Sequence, residues 1–118
     1  MDHRDVALCP KYHRAIELIG RRWSGAIVLV LVRRGPCRFS ELLAAIPGVS
    51  DRLLTERLRE LEEQGVLIRR VQSERPVRVT YELSEAGKAL EPAIGALQAW
   101  AERWIEPPAE STQPRVSA

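Results

Sequence analysis

The 118-residue sequence predicts a mostly helical α+β fold, and three observations carry that prediction. Two short helix-forming segments flank a break at Pro47-Gly48, two strand-like segments follow directly, and a long segment with a broad apolar stripe comes last. With 45% hydrophobic residues the chain is long enough for one core and too short for two ordinary domains. One domain is therefore expected over residues 9–105, between a flexible N-terminus at 1–8 and a disordered tail at 106–118.

A first helix is expected from about Pro10 to Ile19, because Ala15, Ile16, Leu18 and Ile19 form an apolar stripe after a proline suited to a first helical position. Gly20 ends it. Trp23 to Val32 is apolar nearly all round, which reads as a buried central helix, although its Ile, Val and Leu content also permits a buried strand. Arg33-Arg34-Gly35-Pro36 then gives cations, glycine and proline in the order of a helix stop.

Phe39 to Ile46 predicts a short helix with Ser40 as its N-cap. After Pro47-Gly48, Ser50 caps a longer helix to about Gln64, with Gly65 at the left-handed terminal position. Leu54, Leu58 and Leu61 recur at helical spacing and face the core, while Arg52, Thr55, Glu56, Arg59 and Glu63 fall outside. Two helices joined by a short Pro-Gly turn outline a helix-turn-helix.

Val66 to Val71 reads as a strand, and Val77, Val79, Tyr81 and Leu83 alternate with Arg78, Thr80 and Glu82 in period two. The pair forms a hairpin with Arg75 at its tip and Arg69, Arg70 and Arg78 expected at its base. A hairpin placed directly after such a helix is a wing. The last helix is expected from about Ser84 to Trp104, with Leu90, Ile94, Leu97, Ala101 and Trp104 on one stripe that Ala93 and Trp100 broaden. Pro92 should bend it or divide it in two. The stripe is wider than one small domain needs, so Leu97, Trp100 and Trp104 are expected at a dimer interface.

Charge is uneven along the chain: residues 1–80 hold 15 Lys/Arg against 10 Asp/Glu, and residues 81–118 hold 3 against 6. A basic body with an acidic C-terminal part suits a polyanion-binding face joined to an assembly helix, although ordinary surface charge gives the same totals. Sixteen of the 18 basic residues are Arg, which suits phosphate and guanine contacts but is equally what a GC-rich genome produces.

The ordered motifs resemble the HxlR family of winged-helix regulators, relatives of the MarR type. The matching segments are Cys9-Pro10, Ile19-Gly20-Arg21-Arg22-Trp23, Arg38-Phe39-Ser40-Glu41-Leu42, Ile46-Pro47-Gly48-Val49-Ser50, Leu53 to Glu62, Gly65 and Pro76 to Ser84. Together they span roughly residues 9 to 105. Arg21-Arg22 departs from the Gly-Lys that many relatives carry before the tryptophan. The resemblance implies a winged helix-turn-helix with N- and C-terminal dimerisation helices. It further implies a homodimer that places the helix after Ser50 in the major groove, with the wings at the flanking minor groove or backbone.

Reading DNA requires donors that project from the first turns of a helix entering a groove about 12 Å wide, which Ser50, Arg52, Thr55 and Arg59 satisfy. The competing role of these residues is a solvated face on which Glu56 and Glu63 pair with Arg52 and Arg59. Arg69, Arg70, Arg75 and Arg78 suit phosphate contact, which fixes register without reading sequence. Cys9, as N-cap before Pro10, faces unpaired backbone N–H groups and a helix dipole that favour a thiolate, with Lys11, His13 and Arg14 nearby. Some members of the resembled family sense oxidants or aldehydes through a cysteine at this place, so oxidation of Cys9 is expected to alter DNA affinity; an inert Cys9 is the alternative. Cys37 follows Pro36 in a turn and is expected to be structural.

The expected function is a transcriptional regulator, a repressor binding a palindromic operator as a homodimer and answering an oxidant or a small-molecule effector. A winged helix used only for protein association is the rival. Catalysis is not expected, since there is no glycine-rich phosphate loop, nucleophile elbow or His-Asp-Ser set. Cys9 and His13 have a C-x3-H spacing, but only His3 and Cys37 could complete a metal site, so neither metal nor cofactor is expected. No run approaches the roughly 18 to 20 apolar residues of a membrane span, and residues 1–8 lack a secretory signal's apolar segment, so a cytoplasmic location is expected.

Overall fold

The computed structural model describes residues 9–107. The flexible N-terminus expected at 1–8 lies outside them, as does all of the expected tail except Glu106 and Pro107, which are exposed. The elements are α1 (Pro10–Gly20), α2 (Ser24–Arg34), α3 (Phe39–Ala45), α4 (Asp51–Glu63), β1 (Leu67–Gln72), β2 (Arg78–Leu83), α5 (Glu85–Lys88) and α6 (Glu91–Trp104).

The ambiguous Trp23 to Val32 run forms a helix, α2. Helical spacing brings Ile27, Val28 and Leu31 onto one fully covered face, and burial of each contributes about 1.5 to 3 kcal/mol. Around this helix pack Leu42 of α3, Leu54, Leu58 and Leu61 of α4, Leu67 and Leu83 of the hairpin and Ile94 of α6. Gly35 takes φ +81° and its N–H donates to the Leu31 carbonyl, closing α2 where the stop signals stand.

Ser40 does not cap α3. The helix starts at Phe39 with Arg38 as N-cap, and the Glu41 carboxylate accepts from the Arg38 N–H at 2.8 Å. An acidic side chain at the third helical position thus reaches back to the N-cap's own N–H, whereas a cap at Ser40 would have accepted from Leu42 or Leu43. Ser50 does cap α4, its Oγ accepting from the Leu53 N–H at 3.1 Å. The C-terminal segment is divided by Pro92, which falls in the first turn of α6 where its missing N–H costs nothing. Helix α5 is left as a single turn capped by Ser84.

β1 and β2 pair antiparallel, from Leu67 opposite Leu83 to Gln72 opposite Arg78. Cys37 joins the edge of β2 through reciprocal backbone hydrogen bonds with Tyr81 of 2.9 and 2.7 Å. The entrance to α3 is thereby tied to the wing. At the wing's root, Ser84 Oγ donates to the backbone of the Gly65–Val66 corner and accepts from the Gly87 N–H. A Cβ on Gly87 would lie 2.1 Å from the Val66 carbonyl oxygen, so only glycine lets α5 approach this closely.

Candidate nucleic-acid interface

α4 buries Leu54, Leu58 and Leu61 and turns Ser50, Arg52, Thr55 and Arg59 to solvent. The four exposed residues are not chemically equal. Ser50 Oγ already accepts the capping bond and keeps its hydroxyl proton for an outside acceptor. Thr55 Oγ1 donates to the Asp51 carbonyl at 2.8 Å, leaving its lone pairs and methyl facing out. Arg52 stands 81% exposed with its Nε 3.7 Å from Glu56, an i,i+4 pair worth only tenths of a kcal/mol that a phosphate or guanine edge can displace. Glu63 forms no ion pair with Arg59 among the described residues, so half of the competing solvated-face arrangement is absent.

The wing projects beyond the core, and alternation assigns its arginines to two faces. Arg69 shares a face with Val71, Val79 and Tyr81; Arg70 and Arg78 share the other with Ile68, Gln72, Thr80 and Glu82. Arg78 does not stand at the base. Its partner Gln72 is the outermost residue of β1, so Arg78 belongs beside Arg75 near the tip, while Arg69 and Arg70 lie midway. Arg70 is held by Glu82 at 3.1 Å, which neutralises part of its charge.

Cys9 is the N-cap of α1 and is exposed, with no side-chain capping bond. His13 is engaged with Glu17 at 3.3 Å, while Lys11 and Arg14 are exposed. Cys37 is 2% exposed, and burial, reinforced by Glu41, pushes its thiol above the ordinary value. No group of three or more metal-ligating side chains occurs among the described residues.

Two helices carry apolar surface without a covering element. On α6 only Ile94 is buried, whereas Leu97, Trp100 and Trp104 are 58%, 52% and 61% exposed; on α1, Tyr12 and Ile16 are exposed to a similar degree. A cavity of about 260 Å³ lies between the end of α2, β2 and the α5–α6 junction, lined by the apolar Leu31, Val32, Pro36 and Leu83 and by the charged Glu82, Lys88 and Glu91. No helix among the described residues is long and apolar enough to cross a membrane.

The model of the HxlR-like helix-turn-helix family matches residues 18–109. The chain belongs to this family. The HxlR-like chain is 46% identical over 100 residues to the uncharacterised HTH-type transcriptional regulator YvaP of Bacillus subtilis, covering 85% of this chain and 92% of that protein. Its fold matches the reduced form of the transcriptional regulator YodB from B. subtilis with a TM-score of 0.76 and 44% identity, covering 87% of this chain and 100% of YodB. Against the quinone-bound form of YodB the TM-score is 0.71 with 41% identity, covering 82% and 100% of the two chains. The helix-turn-helix and wing read from the sequence are therefore those of an HxlR-like protein.

One residue at this site escaped the sequence reading. Arg57, in the middle of α4, is 7% exposed and points inward, its Nε donating to the Arg22 carbonyl at 2.9 Å. The signal was present: position 57 completes the i, i+3, i+4, i+7 set with Leu54, Leu58 and Leu61, so a charged residue there had to enter the core side. Trp23 was also legible only in part. It packs against the core as expected, but in the left-handed conformation at φ +80°.

Proposed function

We propose that this HxlR-like chain is a homodimeric DNA-binding repressor, with α4 of each protomer in the major groove and the wings on flanking phosphates. The observation that carries the reading is the division of α4: three leucines and Arg57 fix its inner side, while Ser50, Arg52, Thr55 and Arg59 leave donors, acceptors and a methyl group on its outer side. Such a surface matches the mixed edges of the major groove. The uncovered faces of α6 and α1 support pairing with a second copy through Leu97, Trp100 and Trp104, and a two-fold dimer reads a palindrome. The relatives' designation as transcriptional regulators favours this reading over a purely protein-associating winged helix and over an enzyme. A protein acting on an operator works where the genome lies, here the cytoplasm.

Release is assigned to Cys9. It is exposed at a helix N-terminus, and the quinone-bound state of YodB shows that a relative meets electrophiles. Addition of the Cys9 thiol to a quinone forms one carbon–sulfur bond and leaves a hydroquinone; attack on a peroxide forms a sulfenic acid and releases water. The cavity beside Lys88 and Glu91 supports a second route, a small amphipathic effector. Selection of bound genomic fragments with and without a quinone tests the proposal. A palindromic site lost on quinone treatment is expected for the parent, and Cys9→Ser should hold the site under the same treatment. A stably monomeric protein, or one indifferent to duplex DNA at low salt, would overturn the reading, and equal loss in Cys9→Ser would remove Cys9 from it.

A further inference from the structure

The corner between α1 and α2 grips the helix-turn-helix at three points. The Arg22 carbonyl accepts from Arg57 Nε at 2.9 Å, Arg21 Nη1 lies 3.4 Å from Glu60, and the Trp23 ring covers Gly48 so closely that a Cβ there would meet it at 3.2 Å. Arg57 Nη1 also lies 3.5 Å from both Glu56 and Glu60, so its guanidinium is held between the corner and its own helix. Two of these points fall along α4 and one on the turn before it. Together they fix both where α4 lies and how far it is rotated about its axis.

Rotation matters because the groove is read from the opposite side. At 3.6 residues per turn, Arg57 lies roughly 140 to 200° around the helix from Arg52, Thr55 and Arg59. A turn of about 15° about the axis carries an outer side-chain atom about 1.5 Å, given a helix about 10 to 12 Å across, whereas productive geometry tolerates about 0.5 Å. The buried leucines hold α4 against the core through packing that has no bond direction of its own. A directional bond from a buried guanidinium to a fixed carbonyl resists such rotation strongly.

We propose that Arg57, seated on the Arg22 carbonyl beside the Trp23–Gly48 contact, is a positioning residue that sets the angular register of α4 and with it sequence discrimination. The inference rests on the DNA-reading role of α4 proposed above. Contacts to phosphate, which come largely from the wing, do not depend on this register.

The test compares the parent, Arg57→Met, Arg57→Lys and Glu60→Gln on the selected operator and on an unrelated duplex of equal length, across a salt series. In Arg57→Met and Arg57→Lys, operator affinity is expected to fall about tenfold or more while unrelated-duplex affinity changes less than about threefold and the salt slope is unchanged. Glu60→Gln keeps the side-chain shape, removes the negative charge that faces both Arg57 and Arg21 and should shift the ratio in the same direction by less. Should Arg57→Met fail to fold, Arg57→Lys and Glu60→Gln carry the comparison, with circular dichroism and sedimentation confirming a parent-like fold. Equal loss on both duplexes, or an unchanged ratio in every folded variant, overturns the positioning role. A parent that does not distinguish the two duplexes overturns instead the reading of α4 on which the role depends.

Discussion

At the scale of single residues, the two cysteines show how strongly position decides chemistry. Cys9 is exposed, whereas Cys37 sits beneath the bridge to Tyr81 with its thiol proton directed at the Gly35 carbonyl 3.5 Å away. Because burial raises the Cys37 thiol, its neutral form is favoured by folding. The associated stability is complete below the ordinary thiol range and declines as pH rises through the elevated folded value. Iodoacetamide near neutral pH is therefore expected to label the native protein once, at Cys9, with Cys37 reacting only after unfolding. Mass spectrometry checks this, and comparable rates at both positions would contradict the burial. Local sequence announced the Cys9 N-cap and the Ser50 cap, because each depends on neighbours within a single turn. The mistaken cap at Ser40 has a physical reason: Glu41, at the third helical position, accepts from the Arg38 N–H, so the cap falls two residues earlier, at Arg38.

At the scale of elements, period and punctuation placed the helices and strands, with Trp23 to Val32 left open between helix and strand, and the wing's error lies in how its strands are aligned. The register that carries Arg78 to the outer end of the hairpin is set by Leu67 and Leu83 entering the core together, a long-range condition that alternation alone does not reveal. For the wing, Arg75→Ala is expected to weaken binding to every duplex alike and to lower the log-log salt slope by about 0.9, read from titrations at several salt concentrations. A loss confined to the operator would argue against a phosphate contact. At the wing's root, Gly87→Ala forces a methyl group against the Val66 carbonyl, and denaturant unfolding should show a loss of about 1 to 3 kcal/mol. Pro92 announced a bend or a division of the last helix, and the structure divides it, with the proline in the first turn of α6 where it fits without strain.

At the scale of the whole molecule, the apolar surplus on α6 is the feature that one protomer does not explain. Leu97→Glu places a charge in the middle of the uncovered stripe and is expected to yield a folded monomer by sedimentation, with operator affinity reduced at least about tenfold because two half-sites no longer bind as a unit. A dimer that survives this change would move the assembly surface elsewhere. The surplus could be read in the sequence because α6 is amphipathic beyond what a core requires. The bond from Arg57 to the α1–α2 corner could not, since it joins residues 35 positions apart through a backbone carbonyl that carries no side-chain signature.

The wing holds one last consequence. With Arg69 on one broad side of the ribbon and Arg70 and Arg78 on the other, no single flat approach to a duplex satisfies them all. On the proposed reading the ribbon enters edge-on and offers cations to both sugar–phosphate rails at once, a benefit that grows as the rails draw together. Runs of A·T pairs bordering the recognised half-sites narrow that slot, so they are expected to tighten the complex without a single base in them being touched.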